Sequence, residues 1–221
     1  MKRREFALRA SSLIAASAAW ILPAAGARAQ NQIGGFKAGE DFLELETRAP
    51  VSAPAPQIEV VEFFSYGCSH CRRFEPIFKK WEAALLKDVA VRSEHIAFGP
   101  DFEPLQRIFY TLEIMERLDL QMKVFDAIQS DKKRLDKPDV LLPWIAEQGV
   151  DRAKFEQTYK SFGVGTKARR AVQLQDAYQL QGTPAIGVAG RYYIDAGKLG
   201  RGFERMLKIV DALIENERKR A

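Results

Sequence analysis

The sequence predicts an α/β domain in which one mixed central sheet, flanked by helices, is interrupted by an all-helical block. Three observations point there. Residues 58–98 carry an apolar strand, an amphipathic helix and a second strand, the order of a right-handed parallel crossover. From residue 101 to about 162 the pattern is helical only, as in Leu105, Ile108, Phe109, Leu112 and Met115. Two short strands around Ala189-Gly190 then form a hairpin signal, followed by a helix with Phe203, Leu207, Val210, Leu213 and Ile214 on one face. The first and last parts complete one sheet, discontinuous in sequence and continuous in space.

Residues 1–29 have the layout of a cleaved export signal. Lys2, Arg3, Arg4 and Arg9 precede a small-residue apolar run from Ser11 to Ala25, and Ala27-Arg28-Ala29 forms an A-x-A-like cleavage site. The run is shorter than the roughly 20 apolar residues a spanning helix needs. Arg3-Arg4 resembles a twin-arginine signal, with an ordinary Sec signal as the alternative. Either route places the mature chain in the periplasm. Removing these residues takes away five basic side chains and one acidic one, so the formal net charge falls from +5 to +1. The basic balance belongs to the signal and gives no argument for nucleic-acid binding.

Residues 30–57 are expected to supply an N-terminal strand and a connector. The Pro-rich APVSAPAPQ at 49–57 is unsuited to a helix or a central strand. Residues 58–99 form the first part of the sheet domain: Ile58–Phe64 reads as a buried central strand, Ser65-Tyr66-Gly67 as a turn, and the stretch from Cys68 as a helix with Phe74, Ile77, Phe78, Trp81 and Leu85 on one face. A second strand spans Val89 to Phe98. Residues 100–163 form the helical insert. Residues 164–221 return to the sheet through a helix over Thr166–Leu180, strands at Ala185–Val188 and Arg191–Ile194, and the final helix.

The only two cysteines, Cys68 and Cys71, lie within four positions at the junction of strand and helix. A zinc site needs two further ligands, and the only histidines are His70 and His95. Haem attachment needs His directly after the second cysteine, where Arg72 stands. No metal and no cofactor is therefore expected. A bridge across two intervening residues closes too small a loop to restrict the unfolded chain much. Redox chemistry explains both spacing and position, because the unpaired N–H groups and dipole of a helix N-terminus favour a thiolate at Cys68. His70 is placed to support that charge. Cys68 is expected to be exposed and attacking, Cys71 buried and resolving.

These features, EFFSYGCSHC in the first part, a helical insertion after it and GTPAIGV late in the chain, resemble the DsbA family of thioredoxin-fold disulfide oxidoreductases. The resemblance implies a cis proline at Thr183-Pro184 facing Cys68, with the Thr183 main chain pairing with an extended substrate backbone. It makes Glu62 a buried acid that helps move the proton of Cys71. Glu75, four residues after Cys71, lies on the same helical face, and His95 is read as structural. Ser69 stands where the family usually has proline, while His70 is kept. That histidine suggests a strong oxidant; Thr183 before the proline, frequent in isomerases, pulls the other way. The family itself provides the reference potential for a strong oxidant, about −120 mV against about −270 mV for thioredoxin.

The resemblance implies a monomeric periplasmic oxidase that donates the Cys68-Cys71 disulfide to newly exported proteins and is re-oxidised by a DsbB-like, quinone-linked membrane partner. Phe64, Tyr66, Phe74 and the aromatic-rich helical block are candidates for an apolar client surface around Cys68, and most of the same aromatics are also needed for the core. A reductase or isomerase of the same fold, or a non-catalytic periplasmic binding or chaperone protein, are the alternatives.

Overall fold

The computed structural model describes residues 31–197 and 202–220; the expected export signal lies outside them. Two short strands, β1 (Gln32–Ile33) and β2 (Phe36–Lys37), pair with each other. β3 (Leu43–Glu44) joins the main sheet, and β4 (Ile58–Phe64) forms its centre. Helix α1 (Ser69–Glu82) connects β4 to β5 (Val89–His95), which runs parallel to it in register from Ile58 opposite Val89 to Phe64 opposite His95. The insert holds α2 (Glu103–Ile114), α3 (Gln121–Gln129), α4 (Pro138–Glu147) and α5 (Arg152–Tyr159). Helix α6 (Phe162–Ala177) leads back to β6 (Ala185–Val188), β7 (Tyr192–Asp195) and α7 (Phe203–Arg218). The main sheet has the order β3-β7-β6-β4-β5, with β6 antiparallel to β4. This is the thioredoxin-like arrangement with an added set of helices.

All seven residues of β4 are buried, which explains its nearly continuous apolar character. Its alternation separates two cores. Phe63 packs with Tyr178, ring centroids 5.0 Å apart, in the core between sheet and helices. Phe64 points the other way, into the insert, 5.0 Å from Phe109 and 5.8 Å from Phe125. Glu59 escapes the apolar rule because its carboxylate accepts the N–H groups of Ser52 and Ala53 at 2.7 and 2.9 Å and pairs with Arg92. A buried charge is tolerated when it is paired and hydrogen-bonded in this way, and here it pins the proline-rich connector to the sheet.

Three elements, α6, β5 and β7, have bounds that differ from the sequence reading. Helix α6 starts at Phe162 rather than Thr166, because Ser161 caps it by accepting the Val164 N–H at 3.3 Å. The expected boundary at 163/164 therefore falls inside a helix that touches α2, α5 and β5 alike. β5 ends at His95, before the turn at Gly99-Pro100. The hairpin strand β7 begins at Tyr192, since Ala189 and Gly190 both adopt positive φ, +52° and +67°, and Arg191 N–H closes the turn on Val188 O at 2.9 Å. The strands resume their register with Val188 opposite Tyr192, so the connection is three residues long, with positive φ at its first two.

Gly187 marks the tightest packing in β6. A Cβ there would overlap ring atoms of Tyr178, itself held against Phe63. Gly187→Ala is expected to cost about 1–3 kcal/mol, read as a lower urea midpoint with unchanged slope. An unchanged midpoint would mean that Tyr178 is free to move aside.

Candidate active site

β4 and β5 are parallel and end at the same edge of the sheet, and the turn at 65–67 lies on that edge. Cys68 N–H bonds to Ser65 O at 3.0 Å, and Cys68 becomes the N-cap residue of α1 with extended φ, ψ of −88° and 114°. Helix α1 thus has a sulfur where Ser, Thr, Asp or Asn usually caps. Sγ of Cys68 accepts the N–H of Cys71 at 3.3 Å. Across from it, the thiol donates to the carbonyl of Thr183 at 3.3 Å, and the Thr183-Pro184 bond is cis. The fold brings together residues 115 positions apart. Both cysteines are free thiols here, Cys68 partly exposed and Cys71 buried.

The proton affinities of the two sulfurs are driven apart. The Cys68 thiol is lowered to about 5, first by the hydrogen bond from the Cys71 thiol, against the opposing effect of burial, then by the Thr183 side chain and the N–H groups of Cys71 and His70. The carbonyl bond to Thr183 belongs to the protonated thiol; the donors belong to the thiolate. Cys71, 1% exposed, is pushed far up by burial, then by donating to Cys68 and by the charge there. Ser69 and His70 are exposed in the first turn. His70 acts on Cys68 through its backbone N–H, and its imidazole lies on the exposed side of the first turn.

Glu62 is fully buried. One oxygen accepts from Ser93 Oγ at 2.7 Å, and the other has no hydrogen-bond partner among the described residues. Burial, then the neighbouring Glu75, pushes its pKa up to about 8, against the Ser93 hydroxyl and Lys79. Glu75 is raised by burial, with Lys79 and Gln121 opposing. Lys79 in turn holds Glu82 at 2.8 Å on the outer face of α1. His95 is structural, as read: its Nε2 accepts the Tyr66 N–H at 3.1 Å, and burial lowers it to about 3, so it stays neutral.

Of the two places open to the aromatics near Cys68, surface or core, the structure puts the three named ones in the core. Phe64, Tyr66 and Phe74 are each 0% exposed and belong to the cores, where their rings pack on one another and on neighbours. Among the described residues the exposed phenylalanines are Phe98 and Phe102, in the segment after β5, and Phe162, at the start of α6. Nothing in the local pattern of loop and helix marked them.

Two contacts from the insert escaped the sequence reading. Gln129, the last residue of α3, donates from Nε2 to the carbonyls of Tyr66 and Cys68 at 2.8 and 3.0 Å. Arg72, directly after Cys71, pairs with Asp126 at 2.7 Å. Both are ordinary polar positions on their helices, and no motif singles them out.

Titrating the reduced protein at the thiolate absorbance band should give one step with a midpoint near 5. A midpoint in the ordinary thiol range would contradict the capping geometry. Folded Glu62 keeps a proton that the unfolded chain releases, so its contribution to stability is present below about 4.5 and is lost as pH rises to about 8. Glu62→Gln should therefore be more stable than the parent by a margin that grows across that window, and a margin independent of pH would argue against a protonated buried carboxyl.

Residues 101–213 match the DSBA-like thioredoxin domain. The chain is 41% identical over 180 residues to the thiol:disulfide interchange protein DsbA of Bordetella parapertussis, covering 81% of this chain and 86% of that protein. It is 40% identical over 191 residues to DsbA of Pseudomonas aeruginosa, covering 86% and 90%. The crystal structure of P. aeruginosa DsbA superposes with a TM-score of 0.78 at 40% identity, over 82% of this chain and 94% of that one. Oxidoreductase DsbA from Xylella fastidiosa gives 0.76 at 30% identity, over 82% and 97%. With a thiolate-favouring cysteine at the cap of α1, a buried partner thiol one turn on and a cis proline against them, the chain belongs to the DsbA family of thiol:disulfide oxidoreductases.

Proposed function

We propose that the protein is a periplasmic disulfide oxidase that transfers the Cys68-Cys71 disulfide to cysteines of newly exported proteins. The observation that carries this is the unequal treatment of the two sulfurs, Cys68 lowered to about 5 and Cys71 raised. A disulfide whose reduced form contains a stabilised thiolate is a strong electron acceptor.

A client thiolate attacks Sγ of Cys68, the Cys68–Cys71 bond breaks, and Cys71 leaves with the electron pair. Its raised pKa makes it a poor leaving group unless it takes up a proton. Glu62, protonated at neutral pH with a pKa of about 8, is the buried acid that supplies that proton. A second client thiolate then attacks the client sulfur of the mixed disulfide. The client disulfide forms, and Cys68 departs as a stable thiolate, which makes this step fast. Two electrons have passed from client to protein, and a DsbB-like, quinone-linked membrane partner removes them. Thr183 and Pro184 line the sulfur on the side where an extended client strand lies, with backbone groups as its binding partners. Residues 1–29 direct export, by the twin-arginine or the Sec route, and the mature chain acts as a monomer.

Equilibration with glutathione buffers over a range of pH tests the reading. Above the Cys68 pKa the reduced pair holds one proton per two electrons, so the potential should fall by about 30 mV per pH unit; below pH about 5 both sulfurs are protonated and the slope should double. At neutral pH the value should lie near about −120 mV, with the reduced form melting above the oxidised one. A value near about −270 mV would make the protein a reductase. In Glu62→Gln, client attack should slow by about tenfold or more; an unchanged rate would remove Glu62 from the proton path.

A further inference from the structure

We infer that Gln129 is a positioning residue for Cys68: from the helical insert it holds the Tyr66 and Cys68 carbonyls and so keeps the sulfur in the capping geometry that favours the thiolate. The inference rests on the redox reading only in taking Cys68 as the attacking sulfur.

The amide of Gln129 has two N–H donors, and both are used. Nε2 lies 2.8 Å from Tyr66 O and 3.0 Å from Cys68 O. Two carbonyl acceptors require the nitrogen, not the oxygen, to face the turn. These carbonyls flank the Gly67-Cys68 segment, one belonging to Cys68 itself and the other to the residue two positions before it. Placing N–H groups on them offsets their partial negative charge and fixes the two peptide planes. The plane that carries the Cys68 carbonyl begins the first turn of α1, where Arg72 N–H also bonds to Cys68 O at 3.2 Å. Its orientation therefore sets how the N–H groups of His70 and Cys71 address the sulfur.

The amide is delivered by a rigid element. One turn before Gln129, Phe125 is fully buried, its ring 5.0 Å from Tyr66 and 5.8 Å from Phe64. Asp126 pairs with Arg72 at 2.7 Å. Phe125, Asp126 and Gln129 thus tie α3 to the residues before and after the cysteine pair, and of these three only Gln129 reaches the backbone of the cap itself. A simple tie between the two parts of the fold would not need to select those two carbonyls.

The test compares Gln129→Leu with Asp126→Asn, using the full chain after export. Gln129→Leu removes both donors at similar size. The Cys68 thiolate titration should shift upward by about one unit, a tenfold loss of thiolate below its midpoint, and the potential at neutral pH should fall by about 30 mV. Asp126→Asn breaks a neighbouring contact between the same helices and removes a negative charge, so it should not raise the titration midpoint even where it lowers the melting temperature. A Gln129→Leu protein with lowered melting temperature and unchanged midpoint and potential would reduce Gln129 to a structural tie. An upward shift of the same size in Asp126→Asn would do the same. Should Gln129→Leu fail to fold, Gln129→Glu keeps the shape and sets a carboxylate oxygen against the carbonyls; a midpoint that does not rise there overturns the inference. The titration is read without reference to the direction of electron flow, so a reductase-like potential in the parent would sink the oxidase reading and leave this one standing.

Discussion

The capping of α1 by a sulfur is the interaction on which the site depends. A helix begins with N–H groups that have no partner in the preceding chain, and most helices meet them with a hydroxyl or carboxylate oxygen. Here the acceptor is Cys68 Sγ, which takes the Cys71 N–H at 3.3 Å. Because a thiolate accepts far better than a thiol, the same bond that starts the helix also favours loss of the Cys68 proton. Structure and reactivity are therefore one interaction. The strand β4 must end where it does, and the turn at 65–67 must have the length it has, for the sulfur to arrive at the cap.

That constraint explains why two cores meet at this point. Alternation along β4 sends Phe63 into the sheet core and Phe64 into the insert, and Tyr66 and Cys71 follow Phe64. The helical insert is consequently part of the site's wall. It packs rings against the turn and reaches the backbone of the cap through Gln129. His95, at the end of the parallel neighbour β5, holds the Tyr66 N–H, so the turn is gripped from the sheet as well as from the insert.

Burial has opposite outcomes for the ionisable groups around the pair. Cys71 and Glu62 are both pushed toward their protonated forms because water is excluded from them. Cys68 is only partly buried, and donors outweigh its desolvation. A reactive thiolate thus lies beside a proton-holding thiol and a proton-holding carboxyl, and the asymmetry arises from depth and donor placement.

The sequence alone determined the order of elements, the burial of β4, the redox character of Cys68 and Cys71 and the place of Thr183-Pro184. The first three rest on local physics, the period of apolar residues and the residue types at a strand-to-helix junction, whereas the place of Thr183-Pro184 came from the family resemblance. Tertiary structure decided what local pattern does not encode. Glu62 and Glu75 became neighbouring buried acids only when β4 packed under α1. Phe64, Tyr66 and Phe74 went inside because two cores needed them, while Phe98 and Phe102 stayed outside. Gln129 lies 61 positions from Cys68, and Asp126 lies 54 from Arg72; an ordinary glutamine or aspartate on a helix carries no sign of its partner. Which carbonyl a side chain meets is set by how helices pack, and packing is a property of the whole chain.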